Sequence, residues 1–96
     1  METINQAVCK TYGVTEERLL RSKRGRVNEP RNVAIYLTRR LRGDSLKEIG
    51  EQFQMDKYSS VSSAIERMKA LIANDRRLRS RVEKLVLMLA KSQEQT

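Results

Sequence analysis

Residues 45–74 have the sequence SLKEIGEQFQMDKYSSVSSAIERMKALIAN, in which two amphipathic segments are separated by only a few residues. The first segment carries apolar side chains at Leu46, Ile49 and Phe53. Spacings of three and four positions place such side chains on one face of an α-helix. The pattern therefore predicts a short helix from Leu46 to Phe53.

The second amphipathic segment is longer and follows residues 54–57. Its apolar side chains recur at helical spacing and form a single stripe. The members of the stripe are Val61, Ala64, Ile65, Met68, Leu71 and Ile72. We predict a helix from about Tyr58 to Ala73. Two helices joined by so short a connection predict a helix-turn-helix over residues 45–74.

Helical patterns continue on both sides of this unit. Val33, Leu37 and Leu41 repeat every four residues and predict a helix over residues 30–42, with Gly43 at its end. Arg31, Arg39 and Arg42 are expected on the opposite side of that helix. Further helical segments are predicted over residues 3–12, after Thr15 and over residues 75–91. We expect one all-α domain over residues 1–96, a small helical bundle whose core contains Leu37, Leu41, Ile49, Phe53, Val61, Ile65, Met68 and Leu85.

The composition agrees with a helical protein and disfavours several functions. One Phe, three Tyr and one Pro in 96 residues are too few for a sandwich or barrel. With no His and a single Cys, the chain offers neither a His-based catalytic triad nor a structural zinc site. A GxxxxGK[ST] phosphate-binding loop is also missing. We expect no catalytic residues, no metal, no cofactor and no enzymatic activity.

The sequence gives no sign of a membrane or an oxidising compartment. Its apolar runs fall short of the roughly 20 residues of a membrane-spanning helix, and its N-terminus lacks a signal-peptide pattern. A single cysteine, Cys9, suits a reducing compartment. We therefore expect no membrane partner, a cytoplasmic location and a buried Cys9 thiol without a redox role.

Positive charge is concentrated in one part of the chain. The net charge is +8, and residues 16–42 alone hold nine basic and three acidic residues. Inside this segment, residues 21–29 have almost no apolar side chains, which predicts an exposed basic loop. Such a concentration of charge is typical of polyanion binding, although basic helix surfaces also serve solubility. A second basic run, residues 76–81, is interpreted as a solvated helix face, with a second DNA contact as the alternative.

The side of the second helix that lies opposite its apolar stripe is small and polar. Hydroxyls such as those of Ser59 and Ser63 let a helix approach a DNA groove closely and can bond phosphates or base edges. Arg67 lies within reach of a phosphate, and Lys57 and Tyr58 stand at the positive end of the helix dipole. The serines would equally explain a simple N-terminal cap, so both interpretations stay open at this point.

Five short motifs between Ser22 and Leu71 form a specific combination. They are Ser22-Lys23-Arg24, Pro30-Arg31, Ala34-Ile35-Tyr36-Leu37, Ser45-Leu46-x-Glu48-Ile49-Gly50 with Phe53, and Ser59-Ser60-Val61. In this combination the chain resembles the C-terminal DNA-binding domain of the bacterial replication initiator DnaA. The resemblance implies a helix-turn-helix that binds a short duplex sequence in the major groove, while the basic loop enters the adjacent minor groove.

The resemblance also implies which residues contact DNA. In the basic loop, Arg24 or Arg26 would enter the minor groove beside Lys23. The other contacts carried over from the family are Arg39, Leu46, Lys47, Lys57, Tyr58, Ser59, Ser60 and Arg67, and the polar face adds Ser63. Gly50 matches the small residue that lets the first helix pack closely on the second.

Departures from the family pattern concern base recognition. Where the family has an acidic residue, His and two Thr, this chain has Lys57, Tyr58, Ser59 and Ser60. The family's basic loop looks two residues longer than the one in this chain, so Gly25 and Arg26 have no certain counterpart, and the sequence contains no ATPase domain. The pattern Tyr-Ser-x-Val-Ser is similar to that of domains appended to transposases. A transposase-associated role, with a catalytic domain outside this chain, therefore stands beside a role in replication initiation.

A second class of function is also consistent with the charge pattern. A protein-interaction module could bind an acidic partner through the basic loop. Single-stranded nucleic acid is disfavoured because its recognition relies on exposed aromatic side chains, of which this chain has few. The predicted function is sequence-specific binding of double-stranded DNA.

Overall fold

Six α-helices and one π-helical turn make up the described part of the chain. The computed structural model describes residues 3–20, 28–55 and 57–94, with side chains as far as residue 90. The elements are α1 (Ile4–Tyr12), α2 (Glu16–Leu20), α3 (Glu29–Leu37), the π turn (Thr38–Arg42), α4 (Leu46–Gln52), α5 (Tyr58–Asn74) and α6 (Arg76–Glu94). These ranges contain no strand, and the predicted all-α class is confirmed.

Short polar side chains begin several of the helices. Thr3 forms a capping box with Gln6 at the start of α1, and the Asn28 side chain accepts a hydrogen bond from the Arg31 N–H at the start of α3. The Ser45 hydroxyl accepts from the Glu48 N–H at 3.2 Å at the start of α4. Each contact satisfies a donor that has no partner inside its helix.

Helix α3 lies at the centre of the bundle. It packs against α1, α2 and α5. Val33, Ala34, Ile35 and Leu37 are all fully buried. The repeat of Val33, Leu37 and Leu41 does not include Ile35, which the helical pattern places on the same side as the arginines. Neighbouring helices on several sides explain its burial.

Most of the predicted core is confirmed. The core residues that the structure buries are Leu37, Ile49, Phe53, Val61, Ile65, Met68 and Leu85. Cys9 is also buried, and this burial, followed by the charge of Glu16, raises the pKa of its thiol. In α6 the side chains of Leu78, Val82 and Leu89 are buried as well, at the spacing of one helical face.

The prediction for Leu41 is wrong, because this side chain is 36% exposed. The chain does not continue α3 as a regular helix but widens into the π turn from Thr38 to Arg42. A π turn bonds residues five apart, so a residue four positions after Leu37 no longer falls on the same face. Thr38 is buried instead, and its hydroxyl donates to the Ala34 carbonyl at 2.7 Å.

Leu71 also departs from the predicted stripe of α5, since it is 39% exposed. At about 100° per residue, Leu71 lies at the edge of the arc that Val61, Ile65 and Met68 define. Ile72 lies nearer the centre of that arc and is half-buried. The stripe is therefore narrower than the sequence pattern indicates.

Helices α4 and α5 pack closely around Gly50. A methyl group at this position would lie 3.0 Å from the Met55 carbonyl oxygen and 3.6 Å from Val61 Cγ2. The Met55 N–H donates to the Gly50 carbonyl at 2.7 Å, and Gln54 between them has φ 57°. The turn is tight, as the Gly50 match implied. Across the described ranges, no helix is both long and apolar enough to span a bilayer.

Candidate nucleic-acid interface

The first turns of α5 present a small polar surface. Tyr58 is 59% exposed. The other exposed side chains of this surface are Lys57, Ser59, Ser60, Ser63 and Arg67. Val61, Ile65 and Met68 are buried and lie on the side of α5 opposite Ser59, Ser63 and Arg67. The structure thus brings together on one helix six of the residues that the sequence analysis assigned to DNA contact. We call these six residues the reading face.

The start of α5 differs from the starts of α1, α3 and α4. Among the described contacts, the Lys57 side chain makes no capping hydrogen bond. The Lys57 carbonyl accepts from the N–H groups of Ser60 and Val61, at 3.1 Å and 3.4 Å. Among the residues that the structure describes, no side chain accepts from the backbone N–H groups of this first turn, which point out of the helix end. Together with the helix dipole, they favour an external anion such as a phosphate.

Two residues of α4 were assigned to DNA contact, and they differ in exposure. Lys47 is exposed next to the Ser45 cap. Leu46 is half-buried and packs against the core, so only part of its side chain is accessible. Lys47 can supply charge to a phosphate, whereas Leu46 can offer only an apolar contact.

Arg39 is exposed on the π turn and is held in place by the chain that follows. Its Nη1 donates to the Asp44 carbonyl at 2.8 Å. The Asp44 carboxylate in turn lies 3.4 Å from Arg42 Nε and accepts from Gln52 Nε2 at 2.9 Å. Its side chain is only 11% exposed. Asp44 therefore joins the basic π turn to both ends of α4.

The predicted minor-groove residues Lys23, Arg24 and Arg26 lie outside the described residues. The chain on either side of them is described, and there Asn28 Nδ2 donates to the carbonyls of Arg18 and Leu19 at 3.2 Å and 3.4 Å. The end of α2 and the start of α3 are thus held together across the basic segment.

Arg31 was expected on the outer side of its helix, and this expectation is wrong. Its side chain is half-buried, and Nη2 donates to the Phe53 carbonyl at 2.8 Å. Burial lowers the pKa of Arg31. Helical periodicity cannot reveal a contact that spans 22 positions. The one signal in the sequence was that Arg31 follows Pro30 in a motif shared with the DnaA domain.

The basic run in α6 is exposed, as interpreted, but two of its arginines have structural contacts. Arg79 donates from Nε to the Ile72 carbonyl at 3.1 Å and from Nη2 to the Ala73 carbonyl at 2.7 Å. Arg81 lies 4.8 Å above the Tyr12 ring and 3.5 Å from Glu29 Oε2. Burial, followed by the nearby Glu29 carboxylate, raises the pKa of Tyr12 to about 12.

The chemistry of the surface is cationic and hydrogen-bonding. Within the described ranges, no cluster of three or more His, Cys, Asp or Glu side chains is placed to hold a metal ion. The Glu66 carboxylate is exposed beside Arg67 on α5 and lies 3.4 Å from Lys69 Nζ. That lysine offsets the negative charge of Glu66 next to the reading face.

Comparison with known proteins identifies the family. A family model described as "Bacterial dnaA protein helix-turn-helix" matches residues 1–68. The chain is 36% identical over 86 residues to the "Chromosomal replication initiator protein DnaA" of Bartonella quintana, a match covering 88% of the chain and 17% of that relative. Relatives of the same name from a Bradyrhizobium species and from Nitrobacter hamburgensis are each 37% identical over 86 residues, with 18% of each covered.

The chain thus spans less than a fifth of the length of these relatives. The family match includes α4 and most of α5, which are the two helices of the predicted helix-turn-helix. It also includes the four described basic residues among the assigned contacts, which are Arg39, Lys47, Lys57 and Arg67, and it includes Arg31 as well. The chain belongs to the bacterial DnaA helix-turn-helix family of DNA-binding domains.

Proposed function

We propose that this domain binds double-stranded DNA in a sequence-dependent manner, with the start of α5 in the major groove. The observation that carries the proposal is the reading face, where exposed small and basic side chains surround a helix start at which Lys57 makes no side-chain capping hydrogen bond. Helix-turn-helix proteins place the N-terminal residues of their second helix against base edges. The small size of Ser59, Ser60 and Ser63 allows the close approach that this requires.

Base recognition and phosphate binding fall to different residues in this proposal. Lys57, Tyr58 and Ser60 stand at the helix start and face the bases. A lysine can donate to guanine N7 and O6, and a serine hydroxyl can donate or accept at any base pair. Arg67, Arg39 and Lys47 extend toward the phosphates on either side of the groove, where they contribute affinity without reading sequence.

The basic loop supplies a second contact in the proposal. Lys23, Arg24 and Arg26 follow α2, and we propose that they enter the minor groove next to the bound major groove. Arginine in a narrow minor groove responds to the groove width and its negative potential. This contact would add dependence on DNA shape to the direct reading of bases.

The place of the domain in a larger protein is also proposed. Its relatives are named chromosomal replication initiators. We propose that the chain supplies duplex recognition to a replication-initiator-like protein or, as the Tyr58-Ser59-Ser60 departure suggests, to a transposase-associated one. Any catalytic activity would belong to another domain. Because the DNA that it binds lies in the cytoplasm, the protein would be cytoplasmic.

Selection from a pool of random duplexes tests the proposal. The domain should enrich a defined sequence, and Ser60→Ala should bind that selected duplex more weakly relative to a scrambled duplex. Ser80 lies exposed on α6 and provides the matched control, since Ser80→Ala should leave the ratio unchanged. Log K should fall with log salt by about 0.9 per phosphate contact.

Two results would contradict the proposal. Failure to enrich any duplex sequence, combined with saturable binding of an acidic protein partner, would establish the protein-interaction module instead. Equal losses in Ser60→Ala and Ser80→Ala would remove the reading face from the interface.

A further inference from the structure

The turn between α4 and α5 is held to α3 by a single arginine. Arg31, in the first turn of α3, donates from Nη2 to the Phe53 carbonyl at 2.8 Å. Phe53 caps the C-terminus of α4, and its side chain is fully buried. The chain then needs only residues 54–57 to reach the start of α5. The position of Arg31 therefore bears directly on where the reading face begins.

The same turn is constrained from its inner side as well. The Met55 N–H donates to the Gly50 carbonyl at 2.7 Å, and a methyl group at Gly50 would lie only 3.0 Å from the Met55 carbonyl oxygen. Gln54 occupies the left-handed region, with φ 57°. Such a turn has few conformations open to it, so a displacement at Phe53 moves the chain that follows rather than being absorbed within the turn.

The Arg31 contact places a charged group in a half-buried position. The Arg31 side chain is half-buried, and within the described part of the chain its Nε is buried without a hydrogen-bond partner. Burial of a charged group is costly unless its donors are satisfied, and an apolar side chain in such a place is often at least as stabilising. What the guanidinium provides and an apolar side chain cannot is a directional bond to one carbonyl oxygen.

We infer that Arg31 is a positioning residue for sequence readout, which holds the α4–α5 turn at a defined place on α3 and so sets the location of the α5 start in the groove. The inference rests on the proposed function. Base contacts require hydrogen-bond geometry within a narrow range of distance and angle, whereas long basic side chains follow a displaced phosphate. A small shift of the α5 start therefore weakens specific binding more than non-specific binding.

Arg79, which lies on α6, provides a matched control. It donates to the carbonyls of Ile72 and Ala73 at the far end of α5, so both arginines bond backbone carbonyls at the C-terminal end of a helix. Arg31→Met and Arg79→Met each delete such a contact and replace it with an apolar chain of similar length. Only Arg31→Met does so beside the reading face.

The experiment measures the affinity ratio for two probes, a duplex selected by the wild-type domain from a random pool and a scrambled duplex of equal composition. Partial unfolding lowers both affinities by the same factor, so the ratio reports readout and not stability. We expect Arg31→Met to lose about tenfold of the wild-type ratio, equivalent to one base contact. Arg79→Met should keep the ratio, and Arg31→Lys, which retains one donor, should fall between wild type and Arg31→Met.

The outcomes separate the inference from the function on which it rests. If the wild-type domain enriches no sequence, the proposed function fails. If wild type discriminates and a folded Arg31→Met or Arg31→Lys discriminates equally well, Arg31 has no positioning role. If Arg31→Met lowers both affinities and reduces the salt slope by about one contact, Arg31 binds a phosphate directly and the inference is overturned.

Discussion

The two ends of α5 differ in whether other side chains bond their backbone groups. At its C-terminal end, Arg79 donates to the carbonyls of Ile72 and Ala73, and the Asp75 carboxylate accepts from the first N–H groups of α6. At its N-terminal end, Lys57 provides no side-chain cap among the described contacts, and the side chains from Lys57 to Ser60 are exposed.

This difference teaches where the domain places its stabilising contacts. Unsatisfied groups at a helix end normally find a side chain or water as a partner. The far end of α5 has its partners within the chain. At the N-terminal end, no side chain within the described ranges accepts from the first N–H groups. The contacts that hold this end in place involve Gly50 of α4, Phe53 at the end of α4 and Arg31 of α3. Stability and recognition are thus separated along one helix.

The largest expected effect is on the core beneath the reading face. Phe53→Ala should lower the free energy of unfolding by about 3–5 kcal/mol, because a fully buried aromatic side chain leaves a cavity when it is truncated. A small domain has about 5–15 kcal/mol in total, so chemical denaturation should show this clearly. Leu87 is 64% exposed, and Leu87→Ala is the control expected to change stability little. An unchanged midpoint for Phe53→Ala would contradict the packing of the turn.

The next effect concerns base recognition at the N-terminal end of α5. Lys57→Asp should change the selected base preference, because a carboxylate accepts from cytosine N4 whereas lysine donates to guanine. The competition between wild-type and variant selected duplexes should shift by about 1–3 kcal/mol. Lys84 is exposed on α6, and Lys84→Asp makes the same charge change away from the reading face. If wild type and Lys57→Asp selected identical sequences, Lys57 would not take part in base recognition.

A smaller effect, on stability, is expected at the C-terminal end of α5. Arg79→Met removes two hydrogen bonds to backbone carbonyls, and each such bond contributes about 1 kcal/mol at most where it is exposed. Thermal unfolding should therefore begin at a lower temperature, while the ratio of selected to scrambled binding stays at the wild-type value. A changed ratio would show that the two ends are not independent.

The smallest effect sharpens the description of the turn. Gln54 has φ 57°, which costs a residue with a Cβ atom more than it costs glycine. Gln54→Gly should therefore raise the free energy of unfolding by about 0.5 kcal/mol, after the added flexibility of the unfolded chain is counted. Gly43 has φ 69°, and Gly43→Ala should shift stability in the opposite direction. Destabilisation by Gln54→Gly would mean that the glutamine side chain has a role in the turn.

Local patterns in the sequence were sufficient for the helices and for most of the core. The stripe through Val61, Ile65 and Met68 depends only on spacing within α5, and the caps at Asn28 and Ser45 depend on neighbours three residues away. Errors arose where a local rule met a change of backbone. Leu41 follows the four-residue repeat, but the π turn rotates it toward solvent.

The candidate site shows the same division. Ser59, Ser63 and Arg67 lie opposite the apolar stripe of α5, so their exposure followed from spacing alone. Lys57 and Tyr58 are exposed because they stand at the start of the helix. The contacts of Arg31, Arg79 and Arg81 join elements that periodicity treats separately. A long polar side chain can bend toward a distant carbonyl or carboxylate, and only the tertiary arrangement decides whether one is within reach. Groove binding and the roles of individual contacts stay predictions.

The most direct test of the central claim compares the two ends of α5 in one experiment. Amide chemical shifts of the ¹⁵N-labelled domain can be followed by NMR while the selected duplex is added. The account predicts the largest changes at residues 57–63 and little change at residues 72–80. Changes centred on residues 72–80, with residues 57–63 unaffected, would contradict the claim that the N-terminal end of α5 is the part of this helix that contacts DNA.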